Sequence, residues 1–314
     1  MKLRTIKKLF FVLMFLAFGQ NIFAQQDAMY TQYMFNTLAI NPAYAGSRDL
    51  ISATALARKQ WVGIDGAPQT QTISIDGPIG DSKVGLGLQA FNDKIGITQT
   101  TGIYGTYAYR LMMENSTLAF GIQGGVSRFC ANYAGVDLGS DGLPDAAYSD
   151  NVTKFLPNFG AGIYFNTDKF YAGLSAPHLL NNSLNTGQKL AGDKFIARQY
   201  IHLFFTAGYV FDLSENIKLK PNLLLKGVRG APLEADINAN VWLYDLFSVG
   251  VSYRTEADIS FLTEIQINKN IRLGYAYDAS TTGLIKYNSG SHEIMLRYNF
   301  AKENSRTILN PRYF

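Results

Sequence analysis

The chain has one cysteine among 314 residues, few charged side chains and, beyond its N-terminal end, no long apolar run. Cys130 cannot form an intrachain disulfide alone, so a disulfide-stapled scaffold is excluded and the residue reads as a small packed side chain. Without long apolar runs, no mature segment supplies the roughly 20 residues a membrane-spanning helix requires. Charged residues make up 17% of the chain, and the net charge of +4 is local: Lys2, Arg4, Lys7 and Lys8 lie where no acid does. The remainder carries 28 − 4 = 24 basic against 24 acidic residues, which is no footprint for a nucleic-acid binder.

The basic start, the apolar stretch Leu9–Phe18 and the small Ala24 before Gln25 together form a secretory signal peptide, predicted to be cleaved after residue 24. The chain is rich in Tyr (19), Phe (21) and Gly (29). From about residue 50 it alternates with a period of two. In IRLGYAYDA, Ile271, Leu273, Tyr275 and Tyr277 share one face, with Arg272, Gly274, Ala276 and Asp278 on the other. Fourteen such segments succeed one another: 50–61, 69–76, 83–91, 98–112, 117–129, 157–167, 169–176, 198–212, 217–227, 234–244, 246–254, 259–268, 271–279 and 290–300. Most approach the 9–11 residues of a tilted transmembrane strand, and the number is even. Tight connections such as MENS (113–116) and NTD (166–168) alternate with longer ones, notably 131–156, 177–197 and 280–289.

This pattern predicts an all-β transmembrane antiparallel barrel, with the short turns and both termini in the periplasm. A soluble β-sandwich also alternates, but its wet face should carry Lys, Glu, Thr and Ser. Here that face is often Gly (Gly85, Gly87, Gly102, Gly121, Gly125, Gly160, Gly162), which suits a crowded lumen. Tyr109, Phe129, Phe211, Tyr253, Tyr298 and Phe300 stand near strand ends, as interfacial girdles do. Over the last four strands the inward charges are Arg254, Arg272 and Arg297 against Glu264, Asp278 and Glu293. Equal numbers predict ion pairing across the interior and a plugged barrel in preference to a single-sign selectivity ring.

Catalytic chemistry finds little support. Ser291 adjoins His292, but neighbours on a strand point to opposite faces and cannot pair as nucleophile and base. Asp137, Asp141, Asp145 and Asp150 lack the spacing of an EF-hand loop. The chain is therefore expected to be non-enzymatic, without metal or cofactor.

One stretch is neither signal nor strand. Tyr30, Tyr33, Met34 and Leu38 recur at near-helical spacing, which predicts a short amphipathic turn. Pro42 should push Asn41 into extended geometry, and Gly46 permits a bend into the first strand. A segment this apolar should pack in the lumen or across its mouth. Tyr30, Tyr33, Phe35, Asn41, Pro42, Tyr44, Gly46 and, from the first long loop, Trp61 are the candidates for plug or partner contact. The expected organisation is 1–24 signal peptide, 25–48 lumenal or periplasmic segment, 49–300 outer-membrane barrel and 301–314 periplasmic tail.

The runs from Tyr30 to Asn36, LAINPAYAGS from Leu38 and QWVGIDGAPQTQ from Gln60 resemble the opening of the PorP/SprF family of outer-membrane proteins. Ala28 and Thr37 depart from it, standing where proline is expected. The resemblance implies a barrel in outer-membrane lipid that serves type IX secretion and gliding motility. Its partners would be secretion components or a secreted surface protein with a C-terminal signal domain, often an adhesin. The alternative reading is a passive diffusion porin.

Overall fold

The computed structural model describes residues 29–80, 82–133, 151–184 and 198–300. The signal peptide, the four loop aspartates and the C-terminal tail lie outside these residues. Fifteen strand runs form one sheet: β1 Ile51–Lys59, β2 Gln69–Ile79, β3 Val84–Ile95, β4 Thr98–Met112, β5 Thr117–Ala131, β6 Val152–Asn166, β7 Phe170–Ala176, β8 His202–Tyr209, β9 Phe211–Ser214, β10 Ile217–Val228, β11 Glu234–Leu243, β12 Phe247–Arg254, β13 Asp258–Gln266, β14 Ile271–Ser280 and β15 Ser291–Phe300. Runs β8 and β9 both pair with β10 and make one staircase interrupted at Val210, so the barrel has fourteen strands. Every pairing is antiparallel between chain neighbours, and β1 closes on β15 from Ile51 opposite Phe300 to Lys59 opposite His292. Closure leaves no free edge.

Side-chain burial runs opposite to that of a soluble protein. Along β4 the outward residues include Ile103, Tyr107 and Tyr109, while Thr106, Ala108 and Arg110 are buried inward. The same holds on β15, with Ile294, Leu296, Tyr298 and Phe300 outside and Glu293, Met295 and Arg297 inside. An apolar outer belt around a polar interior is stable where the surrounding solvent is hydrocarbon, and the closed sheet satisfies its backbone there. No helix among the described residues is long and apolar enough to cross a membrane. Tyr109, Phe211, Tyr253, Tyr298 and Phe300 are exposed on the outer surface as expected. Phe129 is not: it faces inward and lines a cavity, because it shares the face of Gln123 and Ser127.

Several strand ends differ from the sequence reading, among them β3, which runs to Ile95 and not 91, and β8, which starts at His202 and not 198. The sixth strand begins at Val152, five residues before the expected 157, because β5 stays in register with it from Thr117–Asn166 through Ala131–Val152. The eighth breaks at Val210, whose N–H donates to the Lys169 carbonyl in the preceding turn, with a register shift beyond it at Ile217/Lys218. The connection from β2 to β3 and the turns at 113–116, 167–169, 215–216, 244–246 and 267–270 share one end of the barrel with residue 50 and Phe300. At the other end the connections are mostly longer, although Gly96–Ile97 joins β3 to β4 tightly.

Candidate functional site

Residues 29–48 occupy the inner side of the wall. They form three short 3₁₀ turns, Tyr33–Phe35, Thr37–Ala39 and Pro42–Tyr44, with nearly every side chain buried. The expected amphipathic turn is not what forms. Thr31 and Gln32 are as fully buried as Tyr33 and Met34, because the wall surrounds the segment with its own polar face. Pro42 opens the third turn, where its missing N–H costs nothing. Asn41 caps that turn in extended geometry, its Oδ1 accepting from the Ala43 N–H at 3.0 Å. Gly46, at φ 77°, makes the bend toward β1.

The contacts map a path. At the long-loop third, the N–H groups of Thr31 and Gln32 donate to the two oxygens of Glu293 at 2.9 and 2.8 Å. Thr31 Oγ1 donates to Asp278 and receives from Arg58, which itself bridges Asp278 at 2.7 Å and Glu293 at 3.1 Å. Tyr30 meets the Thr72 hydroxyl at 2.8 Å, and its carbonyl accepts from Arg254. Midway, Arg297 donates to the Phe35 carbonyl, Ser74 to Asn36, and Ser175 to the Ile40 carbonyl at 2.6 Å. Asn41 Nδ2 donates to the Ile163 carbonyl at 3.1 Å, and the Tyr44 ring meets the Tyr164 ring edge-on at 5.3 Å. At the short-turn end, Gly46 N–H donates to Asp76 at 2.9 Å.

Inward glycines mark where the segment passes closest. A Cβ on Gly85 would collide with the Ala45 carbonyl, one on Gly121 with the backbone of Pro42 and Ala43, and one on Gly162 with the Asn41 side chain. With Gly87, whose added Cβ would press on the Leu38 side chain, four of the seven glycines noted in the sequence face the segment directly. Gly102, Gly125 and Gly160 instead face Phe91, Tyr104 and Pro177.

Seven of the eight candidate residues are therefore neighbours along one path. Trp61 stands apart in the loop after β1, its N–H donating to Ser291 Oγ at 3.2 Å. The sequence reading missed Arg58, Asp76 and Arg48, whose Nε donates to the Tyr44 hydroxyl at 2.8 Å, although Arg58 and Asp76 share the inward face of β1 and β2 in the same period of two. The expected charge pairing exists but runs along the wall: Arg272 meets Glu264 at 2.9 Å and Arg254 meets Asp236 at 2.9 Å, each across neighbouring strands. Tyr33 Oη is buried and has no hydrogen-bond partner among the described residues.

Beside the segment, a cavity of about 360 Å³ opens toward the long-loop end between Tyr30 and Ile40 on one side and strands β3, β4 and β5 on the other. Of the histidines, His202 is buried with Nδ1 2.9 Å from the Tyr200 carbonyl, and His292 Nδ1 lies 2.7 Å from the Tyr275 hydroxyl. No cluster of three or more metal-binding side chains occurs among the described residues.

Residues 22–298 match the family described as type IX secretion system membrane protein PorP/SprF. The chain belongs to this family. No curated protein matches it. Among solved structures, a KdgM porin aligns over 80% of this chain and 99% of its own at 10% identity and a TM-score of 0.39. A TodX deltaS2S3 mutant, a monoaromatic hydrocarbon channel, aligns over 83% and 92% at 8% identity and a TM-score of 0.43. These likenesses are too distant to add to what the strand pairing shows. The family and the inverted barrel point to an outer membrane and to association with type IX secretion, in a family of membrane barrels not known as enzymes.

Proposed function

We propose that this barrel supports the secretion or surface anchoring of a cargo protein such as an adhesin, and that residues 25–48 are a lumenal plug, not a free tail. The family match over 22–298 carries the secretion reading. The buried course of residues 29–48, tied to the wall by Glu293, Asp278, Asp76 and Arg297, supports the plug and disfavours a diffusion porin. In this reading residues 1–24 are removed as a signal peptide, 49–300 form the barrel and 301–314 lie in the periplasm. The short-turn end, with Phe300, faces the periplasm. The segment runs upward from there, since Tyr30 and Thr31 contact Arg254, Asp278 and Arg58 near the long-loop ends of their strands. Tyr30, Tyr33, Phe35, Asn41, Pro42, Tyr44 and Gly46 then hold the plug, and the half-buried Trp61 in the loop after β1 is left as the candidate for partner contact.

Affinity purification of the tagged protein from detergent-solubilised outer membrane tests this reading. A secreted protein with a C-terminal signal domain, or a type IX component, should co-purify in stoichiometric amount. Recovery of lipopolysaccharide alone would overturn it.

A further inference from the structure

The cavity beside the segment has a chemistry that cargo support does not require. We propose that it binds a neutral saccharide unit. Its aromatic lining is backed by a stack: the Phe91 and Tyr104 rings lie 6.1 Å apart and nearly parallel, at 12°, and the buried Tyr104 also has the His178 ring 5.3 Å away. The half-buried Phe91 and Phe129 rings are left to meet the C–H faces of a pyranose, which are apolar and flat.

The polar lining supplies what the rings do not. Gln89, Gln123 and Gln199 surround the stack with amides, each able to donate twice and accept. One Gln123 donor is committed to the Pro177 carbonyl at 2.8 Å, which fixes the amide in place. Sugar hydroxyls both donate and accept, and the amides can do both while the Asp93 carboxylate, which also lines the cavity, accepts. No lysine or arginine lines the cavity among the described residues, so an anionic ligand would find no counter-charge.

An extended peptide is a poorer occupant. Strands β3, β4 and β5 are hydrogen-bonded on both sides, leaving no edge for an added strand. A volume of about 360 Å³ lies within the range of small-ligand sites, which runs from about 300 to 1,000 Å³. Tyr30, Ala39 and Ile40 of the N-terminal segment close the inner side, which makes this a holding site and not a passage.

The test uses the full-length protein in a detergent without a sugar headgroup, since a maltoside would compete. Maltotetraose, cellotetraose and chitotetraose serve as neutral probes, tetragalacturonate as the anionic one and an unstructured aromatic-rich peptide as the third class, read by saturation-transfer NMR and calorimetry. At least one neutral tetrasaccharide should bind, with Phe91→Ala weakening it about tenfold or more and Gln199→Ala weakening it measurably. Heat-modifiable gel mobility confirms that each variant is folded. Gln199 stands at the half-buried rim, so Gln199→Ala alone decides the matter if Phe91→Ala does not assemble. Binding of no neutral probe, equal binding in the folded variants, or tighter binding of tetragalacturonate or the peptide would each overturn the proposal.

Discussion

Glu293 concentrates the consequences of a single substitution. Its two oxygens accept the N–H groups of Thr31 and Gln32 while it pairs with Arg58, so Glu293→Ala strands two donors and leaves the buried guanidinium with Asp278 as its carboxylate partner. Breaking a buried pair by removing one member costs about 3–5 kcal/mol, so the variant should unfold at clearly lower urea than the wild type in a heat-modifiability series. Tyr33→Phe should do the opposite or nothing. It removes a buried hydroxyl that has no hydrogen-bond partner among the described residues, a change that is near neutral or stabilising when shape is kept. A large destabilisation would mean that the hydroxyl is held by something the structure does not show. Gly121→Val separates steric seating from wall stability, because its side chain would enter the space of the Pro42 and Ala43 backbone. The segment should become cleavable by added protease between residues 29 and 48 while the barrel stays intact. Gly105→Val, outward with its nearest neighbour atom 4.0 Å from an added Cβ, should leave protease resistance unchanged. Much of this was legible in the sequence: inward glycines and charges derive from the period of two, and Pro42 and Gly46 announce their local geometry. What each inward residue touches was not, since Glu293 and Thr31 are 262 residues apart and no local pattern relates them.

At the scale of elements, the first part of the segment, residues 31–35, meets the wall where first and last strands close. Arg58 belongs to β1, Glu293 and Arg297 to β15 and Asp278 to the adjacent β14, and all four bond to residues 31–35. An antiparallel seam is already complete in its backbone, from Ile51–Phe300 to Lys59–His292, so the segment adds side-chain and carbonyl partners on the inner face. Deleting residues 25–47 behind an intact signal peptide should therefore give a barrel that assembles but unfolds at lower temperature. It should also admit a hydrophilic antibiotic such as vancomycin into the cell. Wild-type melting and wild-type resistance together would make the segment dispensable. Strands were readable because each must alternate for the barrel to be apolar outside. The interruption at Val210 and the early start of β6 were not, because both depend on the partner strand. The segment's 3₁₀ turns also escaped: its apolar spacing suggested one buried stripe, and only a polar wall on every side accounts for burial of Thr31 and Gln32.

For the whole molecule, the question is whether a fourteen-stranded barrel conducts. Diameter grows with strand number, and about eight strands already leave an interior that side chains can fill. Fourteen leave a lumen that wall side chains alone cannot close, so without further filling this protein would behave as a porin. In the proposed reading the filling is residues 29–48: Tyr33, Met34, Leu38 and Tyr44 are each 1–2% exposed, and inward charges such as Arg254, Arg272 and Arg297 are paired along the wall or bonded to the segment. A permeating ion would meet this buried segment and no continuous ring of one sign. The purified intact protein should therefore show no stable nanosiemens-scale conductance in planar bilayers. Gly121→Val should flicker as its segment leaves the seat, and the 25–47 deletion should conduct steadily. Stable, open conductance of that size from the intact protein would show that the segment leaves the lumen readily and would return the diffusion porin to first place.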